Sequence, residues 1–588
     1  MTMTCPSDNC KTIPYGCSSF VDIRMDNAYY VDKTSFIPML EKEGRYLTLL
    51  RPRRYGKSLL LDMLAVYYDV LFSDQFDTLF DGLDISKAPT PLHSSFFVLR
   101  FNFSTVKPDL SSVQQNFNSQ VIYQLTDFAN LYKDYFSAGF ADKVASFTDF
   151  CDAFSYVLIQ VKCTGRKMYV FIDEYDNFAN TLMSVSQSGY QVVTHSDGFF
   201  RLFFNTLKAA TSTSTSVVNR ILVCGVTPLT LSDVTSGYNI GINISLDSKF
   251  NSLVGFTESE FRQMLTYFRD ATGVFRHSVD ELIAFVKPWY DNNCFSPRAV
   301  DREHLYNSDL ALNFVRQYID EGLMPESMYD SNIDTDADKM VAVVRFEKDF
   351  GSKSDTIQSI LGSGTSSAEV IPQFKLCDLS KPERILPSLL FYMGLLTYGR
   401  DPEGYVSLVV PNAVVRYQYF NYMRQCYQET LAWNTNDKDM SDLGRAMALH
   451  GDAEPLLRYV ASSMSDVSSI RDFDARGESF IKGFFLQAIG CNTTRFLTQT
   501  EPEMNHGYSD LYLEPINDTA HAYVIELKYC KPSASDAECA QALCDGKRQL
   551  AKYVLSRALQ ARANSHGWQL HLIALVFRGP SIAHLEFL

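Results

Sequence analysis

Apolar and polar residues alternate along this chain with two periods, and the changes between them mark its parts. Up to about residue 250, short runs of strand formers take turns with stretches of helical spacing. The strand-like runs are Tyr46–Leu50, Phe96–Phe103, Met168–Ile172 and Ile221–Val226. The helical stretches are a short one at Phe36–Leu40 with Thr34 or Ser35 as its cap, then Leu59–Leu71, Val113–Tyr135 and Phe199–Ala210. Strands alternating with helices predict a parallel sheet covered on both faces, with ligands at the C-terminal ends of its strands.

From about 255 the spacing turns helical, at Glu258–Arg269 and Asp280–Lys287. Gly351–Glu369 is rich in Gly and Ser and predicts a mobile loop. A helix at Leu386–Leu396 leads into a hairpin with a Gly399–Gly404 turn, then a helix at Val414–Trp433; helix plus two-stranded wing is winged-helix-like. Few basic residues lie near the wing, so a packing role stands beside DNA binding. Asn434–Ser441 is polar and suits a connection. Further on, a helix starts at Arg476–Ile481, a hairpin turns at Asn517-Asp518, and a final helix is expected at Ala540–Leu559.

The first chemistry lies where one of these runs meets a helix. Leu50-Arg51-Pro52-Arg53-Arg54-Tyr55-Gly56-Lys57-Ser58 is a basic loop between strand and helix, the layout of a P-loop, in which backbone N–H groups wrap phosphates at a helix N-terminus. The usual first glycine is replaced by Arg51. In this layout Gly56 permits close approach, Lys57 reaches the β- and γ-phosphates of ATP, and the Ser58 hydroxyl ligates Mg²⁺. Of the arginines, Arg54 is the candidate to face the phosphates; pairing with nearby acids is the alternative. The strand at 168–172 ends in Asp173-Glu174, where the Asp would orient Mg²⁺ and the Glu would polarise the attacking water. Thr227, at another strand end, would touch the γ-phosphate or that water, or be a plain strand-end threonine.

The last hairpin carries the second set. Pairing about Asp518 makes partners sum to about 1036, which sets Asp510 opposite Glu526, with Lys528 on the same strand face. Two carboxylates and an ammonium on one patch suit metal binding and phosphodiester hydrolysis. The carboxylates would hold Mg²⁺ (or Mn²⁺) and the lysine would position the nucleophile or stabilise developing charge. Glu478 is a third candidate ligand. A solvated ion pair is the ordinary alternative for Glu and Lys at this spacing.

Length and composition narrow the setting. With 588 residues the chain should hold several domains, and 46% hydrophobic with 21% charged residues is ordinary globular composition. A formal net charge of −15 excludes a global basic field for nucleic acid, leaving local patches or a metal ion. Thirteen scattered cysteines suit free thiols. No signal-peptide pattern and no apolar run of membrane length is seen, so an intracellular protein, cytoplasmic or nuclear, is expected.

Tyr30-Val31-Asp32-Lys33-Thr34, Arg51 to Ser58, Phe171-Ile172-Asp173-Glu174-Tyr175-Asp176, Gly225-Val226-Thr227, Ile242–Asp247 and Gly255-Phe256-Thr257-Glu258 together resemble the AAA-ATPase-like family that is paired with a C-terminal nuclease-superfamily domain. In that family Arg-Pro-Arg-Arg-x-Gly-Lys-Ser is the normal P-loop. Asp510, Glu526 and Lys528 are similar to the metal-binding Asp and E-x-K of the PD-(D/E)xK nuclease superfamily. Glu478 looks like its helix-borne acid, and Gln549 with Tyr553 like the Q-x-x-x-Y of one branch. Two departures stand out: Trp289-Tyr290-Asp291-Asn292-Asn293 lacks the usual glycine after Tyr-Asp, and Leu305-Tyr306-Asn307-Ser308 has Ser where Pro is usual. Both are expected to lie outside the chemistry.

The resemblance implies an α/β protein in four parts. These are a P-loop NTPase core with a parallel sheet at 1–250, a helical lid at 251–330, a winged-helix-like and linker region at 331–450, and a restriction-endonuclease-like α/β nuclease domain at 451–588. It implies ATP and Mg²⁺ as cofactors and nucleic acid as partner, DNA ahead of RNA, in a chain that can form homo-oligomers. Two functions compete: an ATPase with a metal-dependent nuclease, and a nucleotide-dependent switch whose nuclease-like domain only binds nucleic acid or a protein.

Overall fold

The computed structural model describes residues 10–178, 198–228, 240–325, 364–374, 382–421, 437–467, 495–500, 509–516 and 519–588, apart from positions 108, 110, 214 and 402, with a few isolated residues between these segments. The chain divides into two units: Met1–Leu323 with Ala342–Ser352 and Ala368–Gly399, and Met324–Val341 with Lys353–Ser367 and Arg400–Leu588.

The first unit is built on five parallel strands, β1 (Tyr46–Leu50), β2 (Phe96–Asn102), β3 (Lys167–Asp173), β4 (Val218–Gly225) and β5 (Ile242–Asn243), in the order β2-β3-β4-β1-β5. Strands β1, β3 and β4 are buried over nearly their whole length, which is why their sequences are continuous apolar runs rather than alternating ones. The helix Lys57–Tyr68 follows β1, and ten of its twelve residues are buried, so it is an internal helix of the fold. Because β4 lies between β3 and β1, the ends of all three strands open onto one corner.

Local chemistry explains the element ends. The short helix is Ile37–Glu43, preceded by a 3₁₀ turn at Thr34–Phe36, and no side chain caps it. The expected cap, Thr34, instead gives its N–H and hydroxyl to Asp32 Oδ1 at 2.8 and 2.6 Å. Val113–Leu131 is helical, and Lys133–Tyr135 is a separate 3₁₀ turn. Three further helices follow, Glu258–Thr272, Val279–Tyr290 and Ser308–Glu321. The first two start in capping boxes, Thr257 with Glu260 and Ser278 with Glu281. The first and third stop at glycines with φ of 66°. Two short strands, β6 (Phe256–Thr257) and β7 (Leu305–Tyr306), pair antiparallel. Glu260 does a second job: Lys33, almost buried, donates to both its carboxylate oxygens at 2.7 and 2.8 Å and to Ser252 O at 2.9 Å. The Asp32-Lys33-Thr34 motif thus ties the N-terminal segment to the helices beyond 250.

The helix and hairpin expected after 380 appear as a helix at Pro382–Tyr392 and strands β9 (Thr397–Arg400) and β10 (Val406–Val409); a short strand β8 (Thr365–Ser366) pairs antiparallel with β10. The Asp401 carboxylate closes the turn, accepting from Tyr405 N at 2.8 Å and Ser407 Oγ at 2.9 Å. Most of the Gly/Ser stretch 351–363 and the second half of the helix expected at Val414–Trp433 lie outside the described residues.

The second unit holds a mixed sheet of β11 (Phe496–Thr500), β12 (Leu511–Pro515), β13 (His521–Cys530), β14 (Gln569–Arg578) and β15 (Ser581–Phe587), adjacent in that order. Only β13 and β14 run parallel, so their connection must cross the sheet, and it does so through helices. The single final helix expected at Ala540–Leu559 is two, Asp536–Tyr553 and Arg557–His566. Ser556 breaks the run: its extended backbone and a side-chain bond from Leu559 N restart the helix. Cys539, Leu543, Leu550 and Tyr553 of the longer helix pack with Ala522 and Val524 of β13 and Ala574 and Val576 of β14. Among the described residues no helix is long and apolar enough to cross a membrane.

Candidate functional site

The corner above β1, β3 and β4 gathers the first set of residues. Arg54 and Gly56 both take left-handed backbone, with φ of 67° and 89°, and Gly56 precedes the first residue of the helix Lys57–Tyr68. Glycine suits that conformation; Arg54 is held in it by two contacts on its carbonyl, from Ser308 Oγ at 3.1 Å and Asp309 N at 3.3 Å. Ser308 occupies the position where proline is usual, the first turn of the helix Ser308–Glu321, and uses its hydroxyl on the loop. The expectation that this departure lies outside the chemistry is therefore corrected: Ser308 touches the P-loop itself. The other departure is neutral, because Asn292 adopts φ of 73°, a conformation asparagine tolerates where glycine is usual.

The three arginines have three fates. Arg51 is 1% exposed. It donates to Leu50 O at 3.0 Å, Ser245 O at 2.5 Å and Phe250 O at 2.8 Å, and lies 4.4 Å over the Phe295 ring. It pairs with backbone carbonyls and an aromatic face rather than an acid, and burial pulls its pKa down to about 10. Arg53 donates to Asn177 Oδ1 at 2.8 Å, linking the loop to the turn after β3. The Arg54 guanidinium is half exposed, 3.9 Å from Asp309.

Lys57 is buried and donates to Arg51 O and Pro52 O at 3.0 and 2.8 Å, inside its own loop. Burial lowers its pKa below the ordinary lysine value, and the charge of Asp173 opposes that. Ser58 Oγ donates to Asp173 Oδ2 at 2.6 Å, so the two expected Mg²⁺ ligands are in direct contact. Both are hard oxygen donors, which fits that ion. Glu174 follows with φ of 49°, and its N–H donates to Asp173 Oδ1 at 3.0 Å. Burial first, then the Asp173 charge, raise its carboxyl above the ordinary glutamate range.

Thr227 is buried, and its hydroxyl donates to Asp176 Oδ2 at 3.1 Å. Asp176 also accepts Thr227 N at 2.8 Å and Val226 N at 3.2 Å. Tyr175 OH donates to Thr227 O. Gly225 must be glycine for this, since an added Cβ would lie 2.7 Å from Asp176 Oδ1 and run into the Tyr175 ring. In the sequence Asp176 stands out only as the last residue of the family-like stretch Phe171–Asp176; its role as a clamp comes from its place in the turn just after β3, beside the end of β4.

In the second unit Leu511 pairs with Ile525 and Leu513 with Tyr523, so partners sum to 1036 and the next pair outward is Asp510 and Glu526. Asp510 Oδ2 accepts Leu527 N at 2.7 Å, which pins it to the neighbouring strand. Lys528 Nζ donates to Glu526 Oε1 at 2.8 Å; the lysine side chain is 24% exposed and that of the glutamate 2%. Gly546 of the helix Asp536–Tyr553 passes over this pair, with a built Cβ 3.7 Å from Lys528 Cγ and 3.8 Å from Glu526 Cγ. Three residues on, Gln549 Oε1 is buried with no hydrogen-bond partner, and Tyr553 is core. Elsewhere on β12, Glu514 is buried against Arg562 at 2.5 Å. Asp510 and Glu526 offer carboxylate oxygens suited to Mg²⁺, yet among the described residues no group of three His, Cys, Asp or Glu gathers to hold a metal. Glu478 lies outside the described residues.

Two family models match parts of the chain. Residues 14–235 match a family model described as a predicted AAA-ATPase, and residues 476–587 match one of the PD-(D/E)XK nuclease superfamily. The chain is 28% identical over 254 residues to an uncharacterized protein in the vnfD 5′ region of Azotobacter chroococcum mcd 1. That similarity spans 42% of this chain and 44% of the relative, less than half of either.

Proposed function

From a chain that carries an AAA-ATPase-like domain at 14–235 and a PD-(D/E)XK nuclease superfamily domain at 476–587, we propose an ATP-hydrolysing protein that cleaves nucleic acid in a metal-dependent reaction, DNA ahead of RNA. The observation that carries the ATPase half is the 2.6 Å bond between Ser58 and Asp173, which joins the helix after the P-loop to the end of β3. In this reading the loop N–H groups and Lys57 bind the β- and γ-phosphates, leaving its present carbonyl partners to do so. Bound Mg²⁺ would supply charge that neutralises the phosphates. Ser58 and Asp173 hold it, and Glu174, beside them, takes a proton from water.

The nuclease half rests on Asp510 and Glu526 at facing positions with Lys528 on the same face. The two carboxylates would hold Mg²⁺ or Mn²⁺, which supplies an activated water and a polarised phosphate. Lys528 orients the nucleophile or stabilises charge on the phosphate. A second reading, in which this domain binds nucleic acid or a partner without cutting it, is favoured by one observation: Glu526 is nearly inaccessible and already engaged by Lys528.

The test is cleavage of circular, linear and single-stranded DNA and of RNA with Mg²⁺ or Mn²⁺, with and without ATP. Glu526→Ala and Lys528→Ala should abolish cleavage and leave ATP turnover measurable. No cleavage of any substrate by a protein that turns over ATP selects the second reading.

A further inference from the structure

The carbonyls of the loop between β1 and the helix Lys57–Tyr68 fall into two groups. Arg51 O and Pro52 O accept the Lys57 ammonium at 3.0 and 2.8 Å. Arg54 O and Tyr55 O are held by residues far along the chain. Arg54 O accepts Ser308 Oγ at 3.1 Å and Asp309 N at 3.3 Å, and Tyr55 O accepts Gly255 N at 2.9 Å. A trans peptide puts its C=O and N–H on opposite sides. The bonds on these two carbonyls therefore aim the N–H of Tyr55 away from Ser308 and that of Gly56 away from Gly255. Among the described residues neither N–H is bonded to a backbone carbonyl.

Ser308 spends its one hydroxyl proton on Arg54 O and is 7% exposed. The Arg54 backbone it holds has φ of 67°, a conformation an arginine keeps only where its surroundings fix it. Ser308 Oγ also lies 3.7 Å from a Cβ built on Gly56, so it sits against both left-handed residues of the loop. Its own helix does not depend on that hydroxyl. The cap is Asn307, whose side chain accepts Asp309 N at 3.1 Å and Leu310 N at 3.2 Å.

We propose that Ser308 is a positioning residue for the nucleotide: its hydroxyl turns the Arg54–Tyr55 peptide so that the Tyr55 N–H is set for a phosphate oxygen before the ligand arrives. This rests on the P-loop reading above. Ser308 acts through Arg54 and touches no phosphate itself. Without the hydroxyl the peptide can leave its left-handed setting, and affinity falls with the fraction of loops that remain ready. The same N–H serves the bound nucleotide and the transition state alike, so the effect belongs to binding and not to the chemical step.

The test uses the full chain with Mg²⁺ and reads the Kd of a non-hydrolysable ATP analogue, kcat with KM, and the midpoint of thermal unfolding. Ser308→Ala removes the donor. Ser308→Pro removes it too and suits the first position of a helix, since Asn307 before it is extended and still caps. Both should raise the analogue Kd about 3- to 10-fold and lower kcat/KM by the same factor, with kcat within about two-fold of the parent. Ser308→Thr, which keeps the hydroxyl, should recover most of that affinity. The unfolding midpoint of Ser308→Pro should not fall. Should Ser308→Pro fail to fold, Ser308→Ala decides. The proposal is overturned if the variants bind the analogue as the parent does, if kcat falls while Kd stands, or if Ser308→Thr binds no better than Ser308→Ala. An affinity loss in Ser308→Pro matched by a lower unfolding midpoint also overturns it, because Ser308 would then support the fold and not the loop. A parent protein that binds no nucleotide, or a Lys57→Ala variant that binds as well as the parent, would instead overturn the P-loop reading beneath it.

Discussion

Ser58 Oγ donates a 2.6 Å hydrogen bond to Asp173 Oδ2 across 115 residues of sequence. The bond joins the first turn of one helix to the last residue of a buried strand, so the position of either oxygen fixes the other. Two hard donors at that separation can serve one cation together. Asp173→Asn should therefore reduce ATP turnover by about 10²- to 10³-fold, the range seen when one preorganised electrostatic group is lost. Ser58→Ala should act more gently, raising the Mg²⁺ concentration needed for half-maximal turnover. Titrating turnover against Mg²⁺ checks both, and a Ser58→Ala curve superimposed on that of the parent would remove Ser58 from the metal site.

Glu174 gives the pH dependence its direction. Burial and the neighbouring Asp173 raise its pKa above the ordinary value of 4.5, while Arg53 and Lys57 hold it down. As a general base it must be ionised, so the acid limb of kcat should lie above pH 4.5. Arg53→Gln removes one of the charges that favour the ionised form and should move this limb to still higher pH. A pH–rate profile of the two proteins is the check.

The parts of the fold that follow from local pattern were legible in the sequence. Strands β1, β3 and β4 could be read because a doubly covered parallel strand must be apolar throughout, and the register of β12 with β13 followed from a turn position and the period of two. Arg51 was not legible. In sequence it is one of three basic residues in a loop, and only the fold brings the carbonyls of Ser245 and Phe250 and the ring of Phe295 around it. Asp176 escaped for the same reason, since its partners at 226–227 are fifty residues away. Ser308 was misplaced because its contact with Arg54 spans 254 residues. Ser556 is a local signal, a good cap inside a helical pattern, and it outweighs the periodicity that runs through it.

Gly225 should be among the least replaceable residues of the first unit. Its space is closed by the buried ring of Tyr175 and by the Asp176 carboxylate, neither of which is the free end of a flexible chain. Gly225→Ala must displace them, at roughly 1–3 kcal/mol for overpacking. Thermal unfolding should show the loss, and turnover should fall further than the lost stability explains because the clamp on Thr227 moves with the ring. Gly82→Ala is an informative contrast: nothing lies near its Cβ, so only its φ of 73° opposes the change.

Asp69 links stability to pH away from either site. It is 4% exposed, accepts Tyr132 OH at 2.7 Å and Leu71 N at 3.0 Å, and burial pushes its pKa from 3.8 up to about 6. A carboxyl whose pKa is higher in the folded chain binds its proton more tightly there. Its contribution is complete below about pH 4 and is lost as pH rises through about 6. A rise of that size corresponds to roughly 3 kcal/mol, taken as an upper figure. Asp69→Asn keeps an oxygen for Leu71 N and places an uncharged amide at Tyr132, whose hydroxyl can turn to Val98 O at 3.4 Å. The variant should therefore lack this segment of the pH dependence, gaining on the parent between pH 4 and 7 and matching its slope outside that window. Urea unfolding across that range decides it, and parallel curves for the two proteins would mean that Asp69 ionises in the folded chain as readily as in the unfolded one.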